Sequence, residues 1–386
     1  MGNARRRQSS HQAFAGADTL WHRLGRLDWL LTALVAALAG IGFAVLYSAA
    51  DGSWQPWAAR QAARFGLGLA LMVAIAATDF RVWLRSAYVI YAAALALLLA
   101  VEFVGVGDGS QRWIALGIVN LQPSEVMKVA MVLVLARYFH DLDENQVNRL
   151  AALLPALVLI AVPVALVLRQ PDLGTALILL VLAVVMTFLG GVAWWKFAIA
   201  GVAGAVSTPL IWTMLHDYQR DRLLTFLEPG RDPLGTGYHI LQSKIALGSG
   251  GLFGKGFVGG TQSQLSFLPE KHTDFIFTLM AEEFGFFGSM LLVSVIVGVL
   301  GCCYAIMMQC QSVFARLLVT GLALNFFLYA FVNMAMVMGL LPVVGVPLPL
   351  VSYGGTSMLM LMIGFGFIQS AAVHHGRLPP RPAARL

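Results

Sequence analysis

Apolar residues run along this chain in long blocks separated by short polar stretches. A helix needs about 20 mostly apolar residues to cross a bilayer. Blocks of that kind fall near 29–49, 61–78, 82–104, 123–140, 151–168, 174–192, 194–215, 275–305, 313–340 and 351–374. The pattern predicts an all-α polytopic membrane protein of about ten transmembrane helices. It divides into a cytoplasmic leader over 1–28, a membrane domain over 29–374 and a cytoplasmic tail over 375–386. The first block is longer than the apolar stretch of a secretory signal, so it reads as a retained anchor.

Lysine and arginine in short loops set orientation. The leader (Arg5, Arg6, Arg7, Arg23, Arg26), Arg81 with Arg85, Arg137 with Arg149, Lys196, Arg316 and the tail (Arg377, Arg381, Arg385) all fall on one side. That side is assigned to the cytoplasm, with both termini there, as an even number of spans requires. The other side receives 50–60, 105–122, 169–173, 216–274 and 341–350. The stretch 216–274 is an unusually long extracytoplasmic loop, and loops of that length are functional or disordered. This one interleaves charge, glycine and apolar residues; its piece 238–247 is too short to span and is expected to lie in the interface or re-enter.

Composition narrows the class. Of 386 residues, 59% are hydrophobic and 11% charged. A soluble domain carries about a quarter charged residues, so a soluble enzyme and disordered, collagen-like or disulfide-stapled chains are excluded. The net charge of +6 sits mostly at the ends of apolar blocks, which explains it by topology and leaves no nucleic-acid partner expected. The three cysteines, Cys302, Cys303 and Cys310, have no Cys or His at ligand spacing and read as helix filler.

Ionisable groups inside or at the mouth of a membrane bundle point to function. In "RWIALGIVNLQPSEVMK", Glu125 and Lys128 lie i, i+3 on one helix face behind Pro123, with Arg112 just outside. They form either a self-neutralising pair or the wall of a polar pocket. In "RQPDLGT", Gln170 and Asp172 belong to a tight turn in which Asp172 suits a helix cap. In "LPEKHTDFIFTLMAEEFG", Thr273 or Asp274 is a natural cap for the span from Phe275, whereas a carboxylate at the apolar boundary also suits a general base. His272 is placed to tune Asp274 or touch substrate, and Glu282 and Glu283 are expected to find partners within the bundle. Loop cations such as Arg220, Arg222, Arg231, Lys244, Lys255 and Lys271 complement an anionic head group. Asn333, inside an apolar block, needs a bond to a neighbouring helix, and Ser352 reads as structural. With no Walker loop and no dinucleotide fingerprint, the residues alone describe an outward polar cavity for an anionic amphiphile.

Five runs carry a resemblance: "RWI.LG....QPSE..K" at 112–128, "QPDLGT" at 170–175, "GYHILQSKIALGSGGLFGKG" at 237–256, "LPEKHTDFIF" at 268–277 and "PVVGVPLPLVSYGGTS" at 342–357. Together they resemble the SEDS family (shape, elongation, division and sporulation) of bacterial peptidoglycan polymerases, and its RodA branch more than its FtsW branch. The resemblance implies a glycosyltransferase of the cytoplasmic (inner) membrane that polymerises lipid II during cell elongation. It places the essential carboxylate at Asp274, with Arg112, Glu125, Lys128, Gln170, Asp172, Lys244 and His272 as substrate-binding candidates. It names no fixed cofactor, a divalent cation being one candidate beside Lys244 and Arg112 for the departing pyrophosphate. Its implied partners are lipid II, the growing glycan strand, a class B penicillin-binding protein and other membrane proteins of the elongation complex. A lipid II flippase and a non-catalytic scaffold are the rival readings; alternating access in a flippase would require polar residues in both halves of the bundle, and here they cluster at the outward end.

Overall fold

A computed structural model describes residues 23–374 apart from 107–111, 116–119, 144, 215–216, 229, 231–235 and 261–270. The basic residues Arg5, Arg6 and Arg7, Arg231, the tail from 375 and the 268–270 part of the "LPEKHTDF" run lie outside the described residues. The ten expected spans are all helical: α1 (Trp29–Ala49), α2 (Ala58–Ala77), α3 (Phe80–Val104), α4 (Pro123–Asp141), α5 (Leu150–Arg169), α6 (Leu173–Leu189), α7 (Trp194–Met214), α10 (Ile276–Gln309), α11 (Val313–Val337) and α12 (Gly355–His374). Two further helices, α8 (Asp217–Leu227) and α9 (Thr236–Ser249), occupy the long loop. A two-stranded hairpin, β1 (Ile114–Ala115) with β2 (Asn120–Leu121), leads into α4.

Seven of these helices, α1, α2, α3, α5, α10, α11 and α12, are long and apolar enough to cross a membrane unaided. The reason α4 is not among them is instructive. It carries Glu125, Lys128, Arg137 and Asp141, but α3, α6 and α11 pack around it and nearly every residue from Pro123 to Ala136 is buried. Protein surrounds its charged first turns, so hydrophobicity is not what holds it at membrane depth. Helix α7 is the opposite case, exposed along almost its whole length at the edge of the bundle.

Two irregularities show how buried backbone is satisfied. Pro163 inside α5 has no N–H for the carbonyl of Leu159, and the hydroxyl of Tyr91 on α3 donates to that carbonyl at 2.9 Å instead. The larger one lies inside the single span expected over 275–305, which the structure keeps as one helix with a break. Gly285, at φ +64°, interrupts α10. The carbonyls of Glu282 and Glu283, released by the break, accept from Lys255 N and Gly256 N, both at 3.0 Å. The orphaned N–H groups of Phe286 and Phe287 donate to the carbonyls of Gly251 and Leu252, at 2.9 and 3.2 Å. The loop after α9 is thus spliced into the helix break, and only glycine allows the approach. A Cβ on Gly254 would lie 2.0 Å from the carbonyl oxygen of Glu283, and Gly254 itself sits at φ +79°. This accounts for the "GSGGLFGKG" run on physical grounds.

The loops sort to two ends of the bundle. Segments 50–57, 112–115, 120–122, 170–172, 271–274 and 345–355 meet at one end, as the Trp57–His272 stack, the Arg112 bond to Gln170 and the Tyr353 bond to His272 show. Segments 28, 77–79 and 369–370 meet at the other, joined by Asp28–Gln369 and Ser370–Thr78 bonds.

Candidate active site

Five chain segments converge on a cavity of about 210 Å³ at the first of these ends. Its walls include Arg112, Glu125, Lys128, Asp172, Asp274 and Tyr329. The first turn of α4 supplies the deepest polar group. Lys128 Nζ lies 2.7 Å from Glu125 Oε1, and both side chains are almost wholly buried. The hydroxyl of Tyr329, on α11, donates to Glu125 Oε2 and accepts from Lys128. The pair is therefore a closed network and also lines the cavity, which merges the two sequence readings.

Asp274 stands half-buried at the rim, on a backbone pinned at three successive carbonyls. His272 O accepts from Tyr353 N at 2.9 Å, Thr273 O from Ser352 Oγ at 2.6 Å and Asp274 O from Asn333 Nδ2 at 2.8 Å. Asn333 also donates to Val346 O at 2.7 Å, and Ser352 Oγ accepts from Leu348 N at 2.7 Å. Ser352 is structural as expected, and Asn333 finds its partners on two loops instead of on a neighbouring helix. Gly345, at φ +73°, lies against the carboxylate: a Cβ there would sit 3.5 Å from Asp274 Oδ2. The expectation that Thr273 or Asp274 caps the following helix is corrected. Phe275 holds the cap position, with no polar group on its side chain to make a cap bond, and the Asp274 carboxylate lies against Gly345 at the cavity.

Arg112 lines the cavity while its guanidinium donates to the carbonyls of Gln170, at 3.0 Å, and Pro171, clamping the α5–α6 turn. Gln170 is buried and donates to Leu98 O at 3.1 Å. Asp172 caps α6, accepting from Thr175 N at 3.1 Å, and still faces the cavity, where Gln122 donates to it at 3.4 Å. Three candidates do not line the cavity: Gln170, whose carbonyl Arg112 holds, His272 and Lys244. His272 stacks on Trp57 at 4.4 Å, outside the lining. Lys244 packs from α9 against Gly339, also outside it. Of the loop cations, Lys255 pairs with Glu282 at 2.7 Å, Arg220 holds the Trp212 and Thr213 carbonyls, and Lys271 approaches Asp51 at 4.0 Å. Among the described residues no three His, Cys, Asp or Glu side chains gather as a metal-ligand set, and Glu125 is held by Lys128 and Tyr329.

Tyr329 is the site residue the sequence reading passed over. The available signal was a tyrosine in an apolar block, whose hydroxyl needs a partner when buried, one helical turn before Asn333 and so on the same face.

Residues 28–377 match the Cell cycle protein family of FtsW, RodA and SpoVE. The chain belongs to that family. The peptidoglycan glycosyltransferase MrdB of Escherichia coli K12 is 48% identical over 278 residues, covering 72% of this chain and 74% of that protein. The probable peptidoglycan glycosyltransferase FtsW of Alkalilimnicola ehrlichii is 35% identical over 388 residues, 94% of each. Among solved structures, a chain reported under "Structural coordination of polymerization and crosslinking by a peptidoglycan synthase complex" superposes with a TM-score of 0.79 at 32% identity, over 91% of this chain and 99% of that one. The rod shape determining protein RodA of Thermus thermophilus does so with a TM-score of 0.68 at 28% identity, over 91% and 98%. These likenesses establish a multi-pass helical membrane protein of this family.

Proposed function

We propose that this chain is a peptidoglycan glycosyltransferase that polymerises lipid II into β-1,4-linked glycan strands during cell elongation, with Asp274 as general base. The observation that carries the reading is the convergence of Asp274, Glu125, Lys128, Arg112 and Asp172, drawn from distant parts of the chain, on one cavity, in a chain whose relatives are named for that activity.

Asp274 takes the proton from the 4-hydroxyl of the acceptor sugar, and the freed oxygen attacks the anomeric carbon of the donor glycan. The α-linked donor inverts to a β bond and undecaprenyl diphosphate departs with the bonding pair. One carboxylate suffices because a diphosphate leaves without being protonated, unlike the sugar oxygen in glycosidases. Base catalysis supplies about 10²–10⁴-fold. Positioning must contribute much of the rest, and the three pinned carbonyls at 272–274 supply it. Glu125, Lys128 and Tyr329 form a rigid polar wall for the sugar and diphosphate. Gln170 and His272 act behind that wall, by shaping the 170–172 turn and the 272–274 backbone.

The cavity end is assigned to the outer face of the bacterial inner membrane, with both termini and the Lys/Arg-rich loops in the cytoplasm. A class B penicillin-binding protein would crosslink the product, its transmembrane helix against this bundle.

The decisive experiment is polymerisation of labelled lipid II by the purified chain with its penicillin-binding partner, wild type beside Asp274→Asn. Long strands from wild type and none from an equally folded variant are expected. Equal polymer from both would remove Asp274 from the chemistry. No polymer from either well-folded protein would favour flipping or scaffolding.

A further inference from the structure

At the end of the bundle opposite the candidate site lies a larger cavity of about 540 Å³. It is walled by Leu189, Met307 and Leu317 at the ends of α6, α10 and α11, roofed by Val147 and the Gly190–Gly191 turn, and edged by Arg316 and Thr320. Arg316 and Tyr329 lie thirteen residues apart on α11, about 20 Å along the axis, so the two cavities are separate. Nothing in the proposed glycosyl transfer uses this second space.

Its lining is amphiphilic. Thr320 gives its hydroxyl hydrogen to the carbonyl of Arg316, at 2.7 Å. The guanidinium of Arg316 itself is exposed and takes no hydrogen-bond or ion-pair partner among the described residues. Lys196 joins the same edge, donating to Asn148 O beside Val147 at 2.5 Å, and Arg149 follows. Of the acids near this edge, Asp141 is paired with Arg137 at 2.7 Å, and Asp143 approaches through its backbone carbonyl, which accepts from Val147 N at 3.2 Å. Just outside the apolar wall, Phe188 and Met308 stay exposed in the last turns of α6 and α10. Cations over an apolar slot between membrane helices recognise the phosphate and acyl chains of an anionic phospholipid. The chain's own tail is unsuited to the slot: residues 375–386 carry Arg377, Arg381 and Arg385 and no acidic side chain.

We propose that this cavity binds one anionic phospholipid, its phosphate on Arg316 and its acyl chains against Leu189, Met307 and Leu317. The test is native mass spectrometry of the purified full chain, incubated with phosphatidylglycerol or with phosphatidylcholine of the same acyl chains. Wild type should hold one phosphatidylglycerol, preferred over phosphatidylcholine by at least about fivefold, the ratio one arginine supplies at an anionic surface. Arg316→Lys should keep most of that preference. Arg316→Ala should lose it by removing the charge, and Thr320→Phe should lose retention by filling the slot with the charge in place. Equal retention of the two lipids by wild type, or unchanged preference in both Arg316→Ala and Thr320→Phe, overturns the proposal. So does a wild type that holds no lipid, whether a second copy or the tail covers the slot.

Discussion

Two regions of this molecule bury carboxylates at the heart of a membrane bundle, and they do so to different ends. In α4, Glu125 is closed into a network with Lys128 and Tyr329 that borders an open space. At the break in α10, Glu282 is held by Lys255 and Glu283 by the hydroxyl of Ser48, and neither lines the cavity that Glu125 borders. Their charge and burial are nearly alike, Glu282 being 0% and Glu125 5% exposed. A buried ionised group therefore does not by itself mark a site. What separates the first region is the adjoining space, which Glu125 lines together with a second carboxylate, Asp274, and the proposed chemistry rests on that difference.

The strongest way to break that contrast is at the splice. Gly254→Ala introduces a Cβ 2.0 Å from Glu283 O at a positive φ, and should cost about 3–5 kcal/mol from overpacking and strain together. A thermal melt in detergent reads this directly, and a variant as stable as wild type would show the splice to be dispensable. Matched glutamine substitutions sharpen the comparison next. Glu282→Gln should lower stability by about 1–3 kcal/mol through the lost charged partner of Lys255 while leaving polymer formed per folded molecule unchanged. Glu125→Gln should instead reduce lipid II polymerisation per folded molecule at least about tenfold, the equivalent of about 1.4 kcal/mol in the barrier. Exchanged outcomes would reverse the roles given to the two regions. The smallest effect concerns Asp172, which both caps α6 and faces the cavity. Asp172→Asn keeps the cap and should stay within about 0.5 kcal/mol of wild type, whereas Asp172→Ala should cost about 0.5–2 kcal/mol. Comparing the activities of these two variants, each corrected for folded protein, separates the cap from any contact with substrate.

The ten helices, their alternation between two ends and the nomination of Glu125, Lys128, Asp172 and Asp274 were legible from the sequence. Spanning helices must satisfy their backbone internally, so length and apolarity suffice to find them. The splice was not legible. A positive φ at Gly285 and the close approach of Gly254 arise only when residues about thirty apart in the chain meet, and a glycine-rich run alone does not name its partner. The same limit hid Tyr329, and it hid that Gln170, Lys244 and His272 stand outside the cavity lining. Local sequence thus determined which segments are helical and which polar side chains stand at their ends. Tertiary packing alone decided which of those side chains share a cavity, because contact between distant helices depends on how far each is rotated and shifted against its neighbours.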